Sequence, residues 1–173
     1  MNELRYLLPN DKGVVEFASP VIGKFGKHTQ KRSWHREAGG QLFATFATGV
    51  FEIVEATGPR KSDKRSLFGF VPDRKMEQAE IKTRYARGLH FVGDWHTHQQ
   101  VHPEPSSTDV SSMRDMVEQS DHELPGFLLV IVGTAEPPDG LHVSLHTADR
   151  YFLLNAHGEA PADVAHRRRF RRS

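Results

Sequence analysis

Between Val92 and Met113 the sequence sets four residues in a frame suited to metal chemistry. His96, His98, Ser106 and Asp109 read His-x-His, seven residues, Ser, two residues, Asp. Two imidazoles one residue apart on a strand point to the same face, so both can reach one ion. An aspartate from a following helix then closes a three-ligand set. Three protein ligands with a fourth position left for water is the catalytic zinc arrangement, in contrast to closed structural sites. The expectation is one Zn2+ per chain, held by His96, His98 and Asp109. A plainer reading, a histidine-rich loop, draws on His90 and His102 among the 11 histidines of the chain. Paired spacing with a correctly placed acid favours the metal.

Ser106 and Asp109 also fit a capping box, because Pro-Ser-Ser-Thr-Asp precedes a helix with apolar periodicity. The two readings are compatible: a carboxylate at a helix N-terminus is kept ionised by the dipole and the amide donors, which suits a ligand. Hydrolysis would further need a group that takes a proton from water and returns it to the leaving amine. Glu37, in WHREAGGQLFATF, stands at the mouth of a strand beside Gly39 and Gly40, which permit close backbone approach. Glu52, Glu55 and Glu80 compete on residue type, and spacing alone does not choose among them.

Composition narrows the chemistry. The chain has 173 residues, 37% of them hydrophobic, which suits one globular domain. It contains no cysteine, so disulfides, thiolate zinc clusters and a cysteine nucleophile are excluded. No serine stands in a Gly-x-Ser-x-Gly context. An activated water remains. The start, MNELRYLLPNDKG, lacks the order of a signal peptide, and no apolar run approaches the roughly 20 residues of a membrane span. The expected compartment is cytoplasmic, with no membrane partner. Five arginines between Arg167 and Arg172 mask an acidic body: without them 18 basic residues face 22 acidic ones, turning the formal +1 into −4. Such a run could meet an acidic partner, but the expectation is a solvated extension.

The elements that must position these residues form a mixed α/β pattern in the order β-α-β-β-β-α-β-α-β-β. Residues 13–18 read as a strand, and Ser19-Pro20 opens a short helix. Residues 41–48, 49–56 and 67–71 read as strands. A helix runs from Pro72-Asp73 to Arg87 and stops at Gly88. Residues 89–95 form a strand leading into the histidines. Val110, Met113 and Val117 share one face of the next helix, residues 124–133 form a central strand, and residues 141–145 and 151–155 close as an antiparallel pair. A mixed central sheet flanked by helices follows.

With Glu37, Gly40 and Leu42 read as Glu-x-x-Gly-x-Leu ahead of His-x-His-x7-Ser-x2-Asp, the chain resembles the JAB/MPN family of zinc hydrolases with its JAMM motif. The resemblance runs from about Val14 to Thr147. It implies that His96, His98 and Asp109 bind zinc, that Glu37 handles the proton, and that Ser106 supports the tetrahedral oxyanion. VPDR at 71–74, a helix and GLHFVGDWHTH are most similar to the prokaryotic JAB branch found beside ubiquitin-like conjugation enzymes, which includes the deconjugating peptidases of CBASS-type and related antiphage operons. One departure is that many members carry Pro after the second histidine, where this chain has Gln99-Gln100; that loosens the loop but removes no ligand.

The resemblance implies a single domain over residues 1–155, followed by a basic extension over 156–173. It also implies a zinc-dependent isopeptidase or peptidase acting at the C-terminus of a ubiquitin-like modifier. The partners would be that modifier or its conjugate and the operon-encoded activating and conjugating enzymes. Two alternatives stand beside it: a JAB-type hydrolase of a small-molecule or carrier-protein conjugate, and a nucleic-acid or protein binding module with structural zinc. Nucleic acid is the less favoured partner.

Overall fold

A computed structural model of the chain describes residues 4–157. Ten strands and three α-helices alternate: β1 (Leu4–Leu7), β2 (Val14–Phe17), α1 (Ser19–His28), β3 (Gly39–Ala47), β4 (Val50–Ala56), β5 (Lys64–Arg65), β6 (Phe70–Val71), α2 (Arg74–Tyr85), β7 (His90–Thr97), α3 (Ser107–Gln119), β8 (Phe127–Val132), β9 (Leu141–His146) and β10 (Tyr151–Leu153). Eight strands make one mixed sheet in the order β1-β2-β4-β3-β7-β8-β9-β10, and β5 and β6 pair separately. The pairs β2/β4 and β7/β8 are parallel. The sheet curls until its two ends meet, where Tyr6 bridges Ala156 and the Leu7 amide donates to Asn155 O at 3.2 Å. The mixed α/β class expected from sequence is what the chain adopts.

Each sheet face is covered by helix, so the strands between carry apolar residues on both sides. One face packs Phe17, Ile53, Trp95 and Val130 with Val21 and Phe25 of α1. The other packs Phe127, Leu129 and Ile131 against Met113 and Val117 of α3. This explains why every residue of β8, FLLVIV, is buried. Its position is nevertheless third from one end of the sheet, and the middle pair is β3 and β7. α2 is different. Glu77 is its single buried residue, and ion pairs hold it down: Arg60 to Glu80, and Arg84 to Glu55 at 2.5 Å.

Two expectations are refined. The strand foreseen at 67–71 is a hairpin, with residues 66–69 forming its turn between β5 and β6. β1 was not foreseen; its short LRYL run owes its strand state to pairing with β2. Backbone pairing continues to His157, whose amide donates to Arg5 O at 2.8 Å. The rest of the foreseen basic extension, including the five arginines, lies outside the described residues. Among the described residues no helix is long and apolar enough to cross a membrane.

A bulge at Val92 and Gly93 sets the faces of β7. Gly93 has φ +149°, and a β-carbon there would stand 1.9 Å from Leu128 O of the neighbouring strand. Gly93→Ala is therefore expected to destabilise the protein by about 3 kcal/mol or more, through strain and backbone overlap together. Gly23→Ala, in the exposed middle of α1 with open space around it, should instead stabilise by roughly 0.5–1 kcal/mol. Urea unfolding of the two variants measures both, and equal midpoints would contradict the packing described.

Candidate metal centre

The end of β7 and the start of α3 bring the foreseen ligands together. His96 and His98 share one face of the strand, while Trp95 and Thr97 point to the other, where Trp95 stacks near Phe25 with ring centroids 5.2 Å apart. His96 Nε2 lies 3.2 Å from His98 Nε2 and 3.3 Å from Asp109 Oδ1, and His98 Nε2 lies 3.4 Å from Asp109 Oδ2. Among the described residues these three form the group with ligand atoms close enough to hold one ion.

The donor set fits zinc. Bonds of about 2.0–2.1 Å to N and O in a tetrahedron place neighbouring donors about 3.3 Å apart, close to the 3.2 Å between the two imidazole nitrogens, with one ligand atom of each of the three residues within 4.8 Å of the others. Two imidazoles and one carboxylate leave one corner without a protein ligand.

Local structure fixes each donor. Ser106 is the N-cap of α3: its Oγ accepts from the Asp109 amide at 3.1 Å, while its own amide donates to Asp109 Oδ2 at 2.7 Å. Capping box and candidate ligand are thus one arrangement. Burial opposes the charge on Asp109, but the hydrogen bond and charge of His96, with the Ser106 contacts, outweigh it and hold the carboxyl well below the usual range. His98 is kept neutral by burial first and His96 second, so its ring nitrogen keeps a lone pair for an ion. Gln100 Oε1 accepts from the Glu104 amide at 3.1 Å and faces His98 Nδ1 at 3.3 Å. An oxygen there suits the tautomer with the proton on Nδ1, in which Nε2 keeps a lone pair that can face an ion. Gln100 O also accepts from the Thr134 amide at 2.8 Å. Gln100, the residue after the one that stands in the proline position, thus restrains the loop that was expected to be loosened.

Glu37 reaches the same place through β3. The start of that strand lies against the end of β7: Gly39 pairs with His96, Thr97 N donates to Ala38 O, and Ala38 N donates to Thr97 Oγ1 at 3.0 Å. A β-carbon at Gly40 would stand 1.9 Å from Thr57 O. The Thr97 hydroxyl in turn donates to Gln30 Oε1 at 3.0 Å, and Gln30 Nε2 donates to His35 O and Leu67 O. The β5–β6 hairpin clamps Glu37 itself: its amide donates to Ser66 O, and its carbonyl accepts from Arg65 Nε at 2.6 Å. The competing acids are elsewhere, with Glu55 and Glu80 paired to Arg84 and Arg60 and Glu52 exposed on β4.

Sequence reasoning missed a polar row on β9. His142 Nε2 and His146 Nε2 each lie 2.9 Å from Ser144 Oγ, all three side chains buried. Through Ile131, His142 is in register with His96. Burial first pushes both rings down to about 4. The alternation in LHVSLH was the available signal. Asp94, two residues before His96, was also passed over; burial, then the charge of Glu77, pushes its carboxyl up to about 7.

The fold agrees with comparisons to known proteins. The family model of prokaryotic homologs of the JAB domain matches residues 19–146, and the chain belongs to that family. A protein named CD-NTase/cGAS isopeptidase from Enterobacter hormaechei is 28% identical over 134 residues, covering 72% of this chain and 66% of that protein. One of the same name from Pseudomonas aeruginosa is 29% identical, covering 72% and 80%. A probable metalloprotease, y4qB, from Sinorhizobium fredii is 30% identical over 105 residues, covering 57% and 64%. The chain thus spans just under two thirds of the length of two of these relatives. The solution structure of protein DSY2949 from Desulfitobacterium hafniense shares the fold, with a TM-score of 0.58 and 17% identity over 79% of this chain and 87% of that one.

Burial raises the Glu37 carboxyl from 4.5 to about 7, with His96 pulling it down and Asp109 adding to the rise. In the metal-free protein the folded state keeps this proton at pH values where the unfolded chain has lost it. The contribution of Glu37 to stability therefore falls as pH rises from 4.5 to about 7. Glu37→Gln should stabilise the metal-free protein at pH 8 by on the order of 1 kcal/mol, discounted for screening at a half-exposed group, and change little at pH 4. Denaturant unfolding at the two pH values checks this; a gain confined to pH 4 would reverse the assignment.

Proposed function

We propose that this chain is a zinc-dependent isopeptidase that cuts at the C-terminus of a ubiquitin-like modifier, within a bacterial antiphage conjugation system. The observation that carries the reading is the convergence of His96, His98 and Asp109, with one ligand atom of each within 4.8 Å of the others, beside Glu37. The family, and relatives named as isopeptidases and as a probable metalloprotease, support it.

His96, His98 and Asp109 would hold the zinc. When bound, zinc supplies a Lewis acid for the scissile carbonyl and brings the pKa of its water down to about 7. Glu37, with a carboxyl already poised near 7, takes a proton on its carboxylate and hands it to the leaving amine. Ser106 accepts the Asp109 amide and retains a hydroxyl proton, which it donates to the developing oxyanion. Gln100 holds the His98 ring in its ligating tautomer. The modifier tail lies extended along the β5–β6 hairpin that clamps Glu37, a strand-addition mode resting on main-chain hydrogen bonds. Phe68 and Val71, 85% and 60% exposed on that hairpin, give it apolar surface.

The deciding experiment is cleavage of a modifier fused or isopeptide-linked through its C-terminus, with metal measured in parallel. Purified protein should carry about one zinc per chain, and His96→Ala/His98→Ala should carry none. Glu37→Ala should keep the zinc and lose cleavage by a factor on the order of 10² or more. Chelation should stop the reaction, and thiol-alkylating reagents should not, because the chain has no cysteine. Survival of the conjugate while a small-molecule amide is hydrolysed would replace this reading with a small-molecule JAB hydrolase.

Gln100→Ala removes the acceptor at His98 Nδ1 while leaving the main-chain bond to Thr134. Zinc affinity should fall about tenfold, measured by competition with a chromophoric chelator. Unchanged affinity would show that the glutamine only shapes the loop.

A further inference from the structure

α2 and α3 cover neighbouring parts of the sheet and leave between them a groove of about 1140 Å³. Phe91, Asp94 and Phe127 line its floor, with Tyr85 of α2 and Met116 of α3 on its walls. His96, His98 and Asp109 are not among its lining residues, so the groove is separate from the metal centre. Asp94 is the anomaly in it. Its Oδ1 is buried and meets no hydrogen-bond donor among the described residues, although buried carboxylates are ordinarily paired. Nearby guanidinium groups make their ion pairs elsewhere: Arg74 binds Glu77 at 2.8 Å, and Arg60 binds Glu80, while Arg60 Nη1 lies 3.6 Å from Asp63 with no hydrogen-bond partner of its own. Arg74 is the one lysine or arginine lining the groove, against the acids Glu77, Asp94, Asp115, Asp121 and Glu123.

We propose that the groove between α2 and α3 is a peptide-binding cleft for a segment bearing an arginine, whose guanidinium pairs with Asp94 while apolar neighbours pack on Phe91, Phe127 and Met116. The chemistry selects arginine. A planar, weakly hydrated guanidinium stacks on ring faces and forms two parallel bonds to a carboxylate, whereas a lysine ammonium is a compact, strongly hydrated charge that gains less from an aromatic floor. The acidic rim steers a cationic segment inward. Asp94 lies two residues before His96 on β7, so a segment in the groove runs beside the strand that carries the histidines. That the segment belongs to the substrate rests on the isopeptidase reading; that the groove binds it does not.

The test reads binding alone. The full chain, labelled with 13C at its methionine methyl groups, is titrated with acetyl-Phe-Arg-Leu-amide and with the peptide carrying citrulline, an uncharged isostere, in place of arginine. Of the 4 methionines, Met113 and Met116 line the groove, while Met76 lies on α2 outside its lining and serves as a control. Met113 and Met116 should shift saturably with the arginine peptide, and the citrulline peptide should bind at least tenfold more weakly. Asp94→Asn should abolish that preference. Ser112→Arg, which adds like charge on an exposed part of the wall, should weaken the arginine peptide as well, and it decides the matter if Asp94→Asn does not fold. Equal binding of the two peptides, shifts indifferent to both substitutions, or no shift at Met113 and Met116 would each overturn the proposal. Catalysis is not measured, so failure of the isopeptidase reading leaves the outcome intact, and a negative titration leaves that reading intact.

Discussion

The hydroxyl of Thr97 joins the parts on which the candidate metal centre depends. It accepts from Ala38 N and donates to Gln30 Oε1, both at 3.0 Å, in a fully buried position. Through it, the strand carrying the histidines is fastened to the strand carrying Glu37 and to the loop that follows α1. Gln30 extends the same fastening to His35 and to the hairpin at Leu67. Polar groups in a buried setting hold geometry more strictly than apolar contacts do, because a displaced partner leaves an unpaired group behind. Gly39 and Gly40 make the approach possible: side chains there would meet Trp95 O and Thr57 O.

A second theme is the contest between burial and charge around the histidines. Burial alone would neutralise every group. It prevails at Glu37, which it raises to about 7, and at His142 and His146, which it lowers to about 4. At Asp109 it loses to the neighbouring imidazole and the capping box. Carboxylates of the same chemistry are therefore shifted in opposite directions within one site. The difference comes from what each touches: Asp109 sits at a helix N-terminus, and Glu37 sits at a strand mouth where its own backbone groups are already engaged.

Much of this was legible in the sequence. The frame from His96 to Asp109 was readable because its geometry is local: a strand period brings two rings to one face, and a capping box fixes the acid. The strands β2, β3, β4, β7, β8 and β9 announced themselves through apolar runs and alternation, and α2 through its Asp73 cap and Gly88. Glu37 was not readable from spacing, since its placement depends on β3 and β7 meeting 59 positions apart. The hairpin at residues 64–71 was read as one strand over residues 67–71, because its two arms have only two residues each. Gln99-Gln100 was read by the proline it lacks rather than by what the amide side chain of Gln100 can bind. Asp94 was passed over, because burial of a single oxygen leaves no mark on composition.

The row on β9 carries a consequence of its own. A serine hydroxyl has one proton, so with an imidazole nitrogen 2.9 Å away on either side it donates to one ring and accepts from the other. With both rings neutral, His142 and His146 must occupy opposite tautomers. The row is thus polarised, its bonds all pointing along β9 in one sense. Reversing that sense requires both rings and the hydroxyl to switch together, which makes two imidazoles four residues apart behave as a single two-state unit beneath α3.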